Sequence, residues 1–561
     1  MSSVTQMIDS IEDIDKLDLN QFNIYPSYFK GQEESVRGLL KNVYMSFSHQ
    51  TDVKVSEFAS PTGSGKTIIN RAVGVAVLKL FPSKVNRVIY TTPLRNLVSQ
   101  IASEEALKIP TVMGRANYPC CTLGMGMNAD SCPYRTAYLI RMRPQECRNC
   151  EYQYRKNLFK TQPIVGSTLD FFLYNKKNKL YDDQPGDFVI IDESASLEDK
   201  LLNQFGIKLP EQVNIDNLIP SLHDWMLELQ EEQLTYEDQL DNIGHLIDRK
   251  NTKILREISD LTKALNKVER KQRTCSNVIS MAGNPDDYLI DSDRKFKLIR
   301  GRWPFNSMVK HLEYVIMSSG TPTTSLLTSK FDRVEAPHPI PKDRRLIYYS
   351  PEGKMSRANQ DKTIPLVAKR IISIHQEYPR KTIVHAHSYD LAKKIRDSIV
   401  QIDPSFKKIV LLQEKKDAVT NGDLYGNRDV SLQKFLTYKG QLVWLSVGFD
   451  EGLNLFGEDY QRNIIAKVPY PSLGDQWVIK RNAVDEKELG LNKWYRLATA
   501  VLIQQAAGRC TRKPKDFSKT VILDANFGYF YNQNKIFFEK WFKDALVWEQ
   551  KKERDARRKT T

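Results

Sequence analysis

Between residues 53 and 526 the chain repeats one kind of segment, a short apolar run rich in β-branched residues: VKVSEFA, RVIYTT, DFVIID, EYVIMSSGT, KTIVHAHS, LVWLSVG, NIIAKV and KTVILDAN. Such runs lack polar alternation, so they predict strands buried on both faces, and several lead into helix-compatible stretches. A parallel sheet covered by helices has this pattern. The spread of the runs is enough for two doubly wound α/β domains, and 561 residues are too many for one hydrophobic core.

Two stretches interrupt the pattern. From about Tyr118 to Lys160 there is little periodicity, many Arg and Tyr residues, and five of the seven cysteines, from Cys120 to Cys150. The second interruption, roughly Phe205 to Arg300, is helical. Leu222, Met226, Leu229, Gln233, Tyr236, Leu240, Ile243 and Ile247 step by four and three, as do Ile254, Ile258, Leu261, Leu265 and Val268. A break near Asp248 to Thr252 predicts that the two helices fold back as an antiparallel hairpin, its stripe inward and its outer face available to a partner.

Composition narrows the class. The apolar fraction is 41 %, above that of a disordered chain, yet no apolar run approaches the length of about 20 residues that spans a bilayer. The opening MSSVTQMIDSIEDIDKLDLN lacks the basic and apolar regions of a secretory signal. A reducing compartment is expected, cytoplasm or nucleoid and nucleus, and there crowded cysteines point to a metal rather than to disulfides. Only Cys147 and Cys150 form a C-x-x-C pair, so spacing alone leaves zinc and iron–sulfur both open. An excess of 15 basic residues, 83 against 68, makes a polyanionic partner plausible.

The chemistry is most specific at Ser60-Pro-Thr-Gly-Ser-Gly-Lys-Thr67, between a strand-like and a helix-like run. That is the context of a phosphate-binding loop. Gly63, Ser64 and Gly65 turn backbone N–H groups toward phosphate, Lys66 reaches the β and γ phosphates, and Thr67 binds Mg²⁺ at the positive end of the helix. Asp192 and Glu193 close the run DFVIID; Asp192 suits the Mg²⁺ shell and Glu193 the activation of water. In Gln505-Ala-Ala-Gly-Arg-Cys-Thr-Arg512, Arg509 and Arg512 stand three apart, expected on one helix face, where they can stabilise a γ-phosphoryl group in transfer. Beside the cysteines, Tyr152, Tyr154, Arg155 and Lys156 interleave rings and charges in a manner suited to single-stranded nucleic acid.

Taken in order, these segments resemble the iron–sulfur branch of superfamily 2 helicases, the XPD and DinG-like family, over nearly the whole chain. Gln32 in YPSYFKGQ looks like the adenine-reading glutamine, and TTPLRNLVSQ, with Thr92, Asn96 and Gln100, is similar to the motif that touches nucleic acid. GRANYPC, residues 114–120, looks like the entry to the cluster module, Ser319-Gly-Thr321 like the third motif, and Gly448 to Gly457 like the fifth. Gln505 to Arg512 matches the sixth. Three departures stand out: Ala195 replaces the DEAH histidine, Asn454 an acidic residue, and Ser167-Thr168-Leu169 the T-N-H triplet.

The resemblance implies two RecA-like motor domains. The first would run over 1–117, 161–204 and 301–330, interrupted by a cluster module at 118–160 and a helical arch at 205–300, with the second at 331–561. It implies an ATP- and Mg²⁺-dependent DNA helicase moving 5′ to 3′ on single-stranded DNA, acting on tailed or forked duplexes as a monomer. Its 4Fe-4S cluster would sit on Cys120, Cys132, Cys147 and Cys150, with Cys121 dispensable. An RNA or RNA–DNA hybrid helicase, or a clamp switched by ATP, remains an alternative at this stage.

Overall fold

The computed structural model describes residues 8–550 except 94, 123–126, 133, 135–138, 142–144, 178–185, 245, 247–250, 414–424, 427, 449–454, 456, 512 and 514. Asn454, Arg512, the side chain of Asn96 and most of the expected hairpin break therefore lie outside the description. The chain divides into two compact units: Met1–Phe58 with Lys66–Val334 and Asp475–Val484, and Ala59–Gly65 with Glu335–Gly474 and Asp485–Thr561.

The first sheet holds β1 (Val55–Ala59), β2 (Arg87–Thr92), β3 (Thr111–Val112), β4 (Ile164–Thr168) and β5 (Asp187–Asp192). A small antiparallel sheet follows, made of β6 (Ile207–Lys208), β7 (Tyr288–Ile290) and β8 (Lys295–Leu298). The chain then returns to the first sheet with β9 (Tyr314–Ser319) and β10 (Asp332–Glu335), giving the order β10-β1-β9-β5-β2-β4-β3. From β9 to β3 every neighbouring pair is parallel. Every residue of β1, β2, β5 and β9 is buried, which is why these strands read as unbroken apolar runs. At the start of β2 and β5, Arg87 and Asp187 are register partners and form a buried two-point ion pair at 2.8 and 2.6 Å.

The hairpin consists of the helices Leu218–Gly244 and Thr252–Met281, packed against each other. Its stripe has two jobs. Toward the base, Leu222, Trp225, Leu229, Val268 and Val278 pack with Phe296 of β8. Farther along, Leu240, Ile258 and Leu265 pack with Tyr134, Leu139, Cys132 and Cys147, so part of the hairpin covers the cysteine-rich stretch. That stretch contains short 3-10 turns at Ala129–Ser131 and Gln145–Asn149 and then the helix Glu151–Thr161.

In the second unit β11 (Ile347–Gly353), β12 (Lys381–His385), β13 (Val410–Gln413), β14 (Tyr425–Gly426), β15 (Leu442–Ser446), β16 (Arg462–Ile465), β17 (Lys519–Asp524) and β18 (Leu546–Trp548) form one sheet. The order is β14-β13-β15-β12-β16-β17-β11-β18 and all neighbours are parallel. Apolar clusters cover it, one around Ile371, Ile395 and Leu445, another around Ile503, Phe527 and Phe542, and a third around Ile383, Phe435 and Trp444. The architecture is thus α/β with two doubly wound parallel sheets. No helix among the described residues is long and apolar enough to cross a membrane.

Candidate functional site

The segment after β1 turns sharply into the helix Lys66–Leu80. Gly63 and Gly65 both have φ of 83°, the left-handed region that a side chain makes costly. Ser60 stands where a glycine is usual and is used as a brace: its Oγ lies 2.5 Å from that of Ser64, whose hydroxyl donates to the Pro61 carbonyl at 2.7 Å. The loop is therefore held in a fixed curve, with Lys66 opening the helix and Thr67 partly buried behind it.

Lys66 Nζ lies 2.8 Å from Glu193 Oε1. Glu193 follows β5 with φ of 52° and ψ of 46°, a conformation uncommon for a residue with a side chain, and its N–H donates to Asp192 Oδ1 at 2.9 Å. Asp192 is buried, and burial raises its carboxyl above the usual range, with the Lys66 charge acting in the opposite sense. The hydroxyl of Tyr90, on neighbouring β2, donates to Asp192 Oδ2 at 2.5 Å and also meets the Thr67 side chain. Burial first, and then the Asp192 charge, pushes the phenol well up, so Tyr90 remains a donor. Sequence reasoning missed Tyr90; its signal was a polar tip inside an otherwise apolar strand, next to the strand that ends in two carboxylates.

A buried carboxylate with a hydroxyl beside it, both served by one phenol, suits a divalent cation, whose charge would offset the cost of burying Asp192. A phosphate arriving at Lys66 would compete with Glu193 for the same ammonium group. The DEAH-position residue Ala195 has no side chain to reach out, but its carbonyl accepts from Thr323 Oγ1 at 3.3 Å. This links the carboxylate turn to the loop after β9, where Thr321 N–H donates to Ser319 Oγ at 3.1 Å.

Gln32 begins the helix Gln32–Phe47 after Gly31 at φ 85°; it is buried, and its Oε1 accepts the Phe29 N–H at 3.0 Å. The arginine segment departs from expectation. The helix Lys493–Ala507 ends at its Gly508 cap, so Gln505 is helical whereas Arg509 lies in the turn beyond, bonded through its own N–H to the Ala506 carbonyl. Arg509 is therefore not on the helix that carries Gln505, contrary to the expectation, and Arg512 lies outside the described residues.

Of the expected nucleic-acid contacts, Thr92 is fully buried at the end of β2 and Gln100 is exposed on the helix Arg95–Ser103. Arg155 is partly exposed, 3.5 Å from Glu151. Tyr152 needs correction as an open stacking ring: it is only 5 % exposed and packs on Tyr118 with centroids 5.8 Å apart. Its helix buries Tyr152 and Phe159, seven residues apart and hence on one face, and leaves Tyr154 outward. One edge of Tyr152 nevertheless lines a cavity of about 250 Å³ together with Arg95, Arg115, Tyr174, Asn266 and Arg270. The Arg115 guanidinium is 5.5 Å from the Tyr152 ring, and that of Arg273 is 3.7 Å from Tyr174. The sequence offered Arg115 only as part of GRANYPC and did not single out Arg270.

None of the five cysteines is in a disulfide. Cys120 and Cys132 are hydrogen-bonded to each other, and that bond, followed by burial and the charge of Cys120, raises Cys132 far above an ordinary thiol. Burial raises Cys147 and Cys150, and both interact with Cys121. Thr122 Oγ1 lies 3.1 Å from Cys147 Sγ and 3.7 Å from Cys121 Sγ. Thiols that oppose one another's ionisation fit a cationic centre, which would make the thiolates favourable. Among the described residues, no three His, Cys, Asp or Glu side chains are arranged around a single ion.

Residues 371–545 match the family of helicase C-terminal domains. Over the whole chain the fold is similar to an Xpd protein of S. tokodaii, at 15 % identity and a TM-score of 0.54, covering 93 % of this chain and 100 % of that one. A structure described as an XPD helicase gives 15 % identity and a TM-score of 0.58, covering 94 % and 100 %, and a further XPD structure gives 13 % and 0.51, covering 93 % and 100 %. The chain has the XPD-type helicase fold.

Proposed function

We propose that this chain is an ATP-driven helicase that moves 5′ to 3′ on single-stranded DNA and opens tailed or forked duplexes. The observation that carries the reading is the 2.8 Å pair of Lys66 and Glu193 beside the buried Asp192, at the end of a phosphate-loop helix. In this reading the N–H groups of Gly63, Ser64 and Gly65 receive the phosphates, and Lys66 leaves Glu193 for the β and γ oxygens. Glu193, released, takes the proton of the attacking water. Thr67 and Asp192 hold Mg²⁺, with Tyr90 fixing the Asp192 carboxylate; the ion supplies charge neutralisation on the phosphates. Gln32 orients adenine, and Arg509 and Arg512 meet the charge that develops on the γ-phosphoryl group.

DNA rather than RNA is the expected strand, held through phosphates and ring faces with no base readout. The cavity lined by Arg95, Arg115, Tyr152, Tyr174 and Arg270 offers such groups. Cys120, Cys132, Cys147 and Cys150 would hold a 4Fe-4S cluster, whose contribution is to cross-link a stretch with few regular elements. The test is ATP-dependent unwinding of matched duplexes with a 5′ or a 3′ single-stranded tail, in DNA and in RNA, using anaerobically purified protein. Unwinding of the 5′-tailed DNA is expected; preference for the 3′ tail, for RNA, or ATP turnover without strand separation would overturn polarity, substrate or helicase action respectively.

A further inference from the structure

We propose that Asn463 is a positioning residue for Arg509, acting through the carbonyl of Ala506 that both of them engage; the inference rests on the reading of Arg509 as a group that meets the γ-phosphoryl charge. Asn463 lies within β16 and is fully buried among Ile464, Ile465 and the strands on either side. An apolar β-branched residue would fill that place in the sheet, and a buried amide is tolerated only when its donors and acceptor are bonded.

All three directions of the amide are used. His385 Nε2, on β12, lies 3.1 Å from Asn463 Oδ1. Asn463 Nδ2 donates to the Ala506 carbonyl at 2.7 Å and to Thr520 Oγ1 at 3.1 Å. Thr520, the register partner of Asn463 on β17, then donates to the Ala507 carbonyl at 3.3 Å. The donor order is self-consistent, since an amide oxygen can only accept, which makes His385 Nε2 the protonated nitrogen. Burial first, and then the Arg509 charge, pushes His385 down to about 3, so it stays neutral and keeps this role at ordinary pH.

The position of these carbonyls gives the network its purpose. Ala506 and Ala507 are the last two residues of the helix Lys493–Ala507, whose final carbonyls have no partner within the helix. The sheet supplies the partners from two strands, Asn463 on β16 and Thr520 on β17, with His385 on β12 holding the Asn463 amide from behind. Ala506 O also accepts the Arg509 N–H at 3.4 Å, so the carbonyl gripped by Asn463 is the one from which the Arg509 backbone hangs. Arg509 itself is only 6 % exposed and lies near enough for its charge to depress His385. Loss of the Asn463 amide would free the helix end and let the guanidinium drift, and a shift of about 1 Å at a reacting charge is worth about 100-fold in rate.

The test measures kcat and KM for ATP, with saturating single-stranded DNA, together with the melting temperature. Variants are Asn463→Ala, Arg509→Ala, the double variant, Thr520→Val and Thr520→Ser. The expected result is a kcat about 10–100-fold lower for Asn463→Ala with KM within about twofold, and a double variant no slower than Arg509→Ala alone. Thr520→Ser should keep the rate that Thr520→Val loses, which decides the matter even where Asn463→Ala does not fold. Multiplicative losses in the double variant, or equal rates for the two Thr520 variants, would overturn the proposal alone. Arg509→Ala with unchanged kcat would overturn the reading of Arg509 and the proposal with it.

Discussion

The parallel sheets and the cysteine-rich stretch obtain their order by opposite means. β1, β2, β5 and β9 bury every residue, so their stability is spread over area removed from water and over ladder hydrogen bonds along each strand. Between Tyr118 and Cys150 the described elements are 3-10 turns, and the side chains that reach a core are borrowed ones: Tyr118 and Ala129 in the first unit's core, Tyr134, Leu139, Cys132 and Cys147 against the hairpin. A region of that kind depends on a few contacts, and a cross-link there does what a core does elsewhere. The contrast teaches that damage to the motor site should stay local, whereas damage to one thiol should spread through the stretch.

The largest effect tests the first half of that contrast. Lys66→Ala should lower ATP turnover by about 10³-fold or more while leaving the melting temperature and any iron content unchanged, and Glu193→Gln should retain ATP binding with very slow turnover. Equal loss of nucleotide binding in both variants would break the assignment of separate roles. Next, Cys147→Ser should abolish colour, iron and unwinding of anaerobically purified protein yet keep ATP binding, and Cys121→Ser should keep all of them. Iron lost from the Cys121 variant would move the ligand set, since Cys121 interacts with both Cys147 and Cys150. The smallest effect sharpens the border between the two regions: Arg115→Ala, at the cavity they share, should weaken single-stranded DNA binding several-fold and reduce its salt slope by about one. Affinity and slope both unchanged would remove the cavity from the nucleic-acid path.

The legibility of the sequence follows the same division. RVIYTT and DFVIID are strands over their full length because burial on both faces leaves no ambiguity of period. The antiparallel β6, β7 and β8, which carry Lys208, Lys295 and Lys297, gave too little apolar signal to be seen, whereas β13 was passed over although residues 409–412 form an apolar run, because that run is only four residues long. At the candidate site, the grouping of Lys66, Asp192 and Glu193 was legible because a phosphate-loop pattern and a strand ending in two carboxylates each have a restricted residue type and spacing. Tyr90, Asn463 and Thr520 were not, because their roles depend on which strands become neighbours, and strand order is set by tertiary packing. Arg509 was placed on a helix that in fact stops at Gly508, and Tyr152 was read as open because a helix face cannot be told inward or outward from four residues alone.

The ion pair of Arg87 and Asp187 works as a gauge for the chemistry several residues downstream. It fixes which residue of β2 stands beside which residue of β5, and Tyr90 and Asp192 inherit their alignment from that match. A slip by one position would turn the phenol to the opposite side of the sheet, because side chains alternate along a strand. It would also strand two charges in the interior, an outcome worth about 3–5 kcal/mol when one partner of a buried pair is lost. Misassembled strands are thus penalised at one end of the sheet before the Tyr90–Asp192 contact forms at the other, so a folded chain is a correctly spaced one.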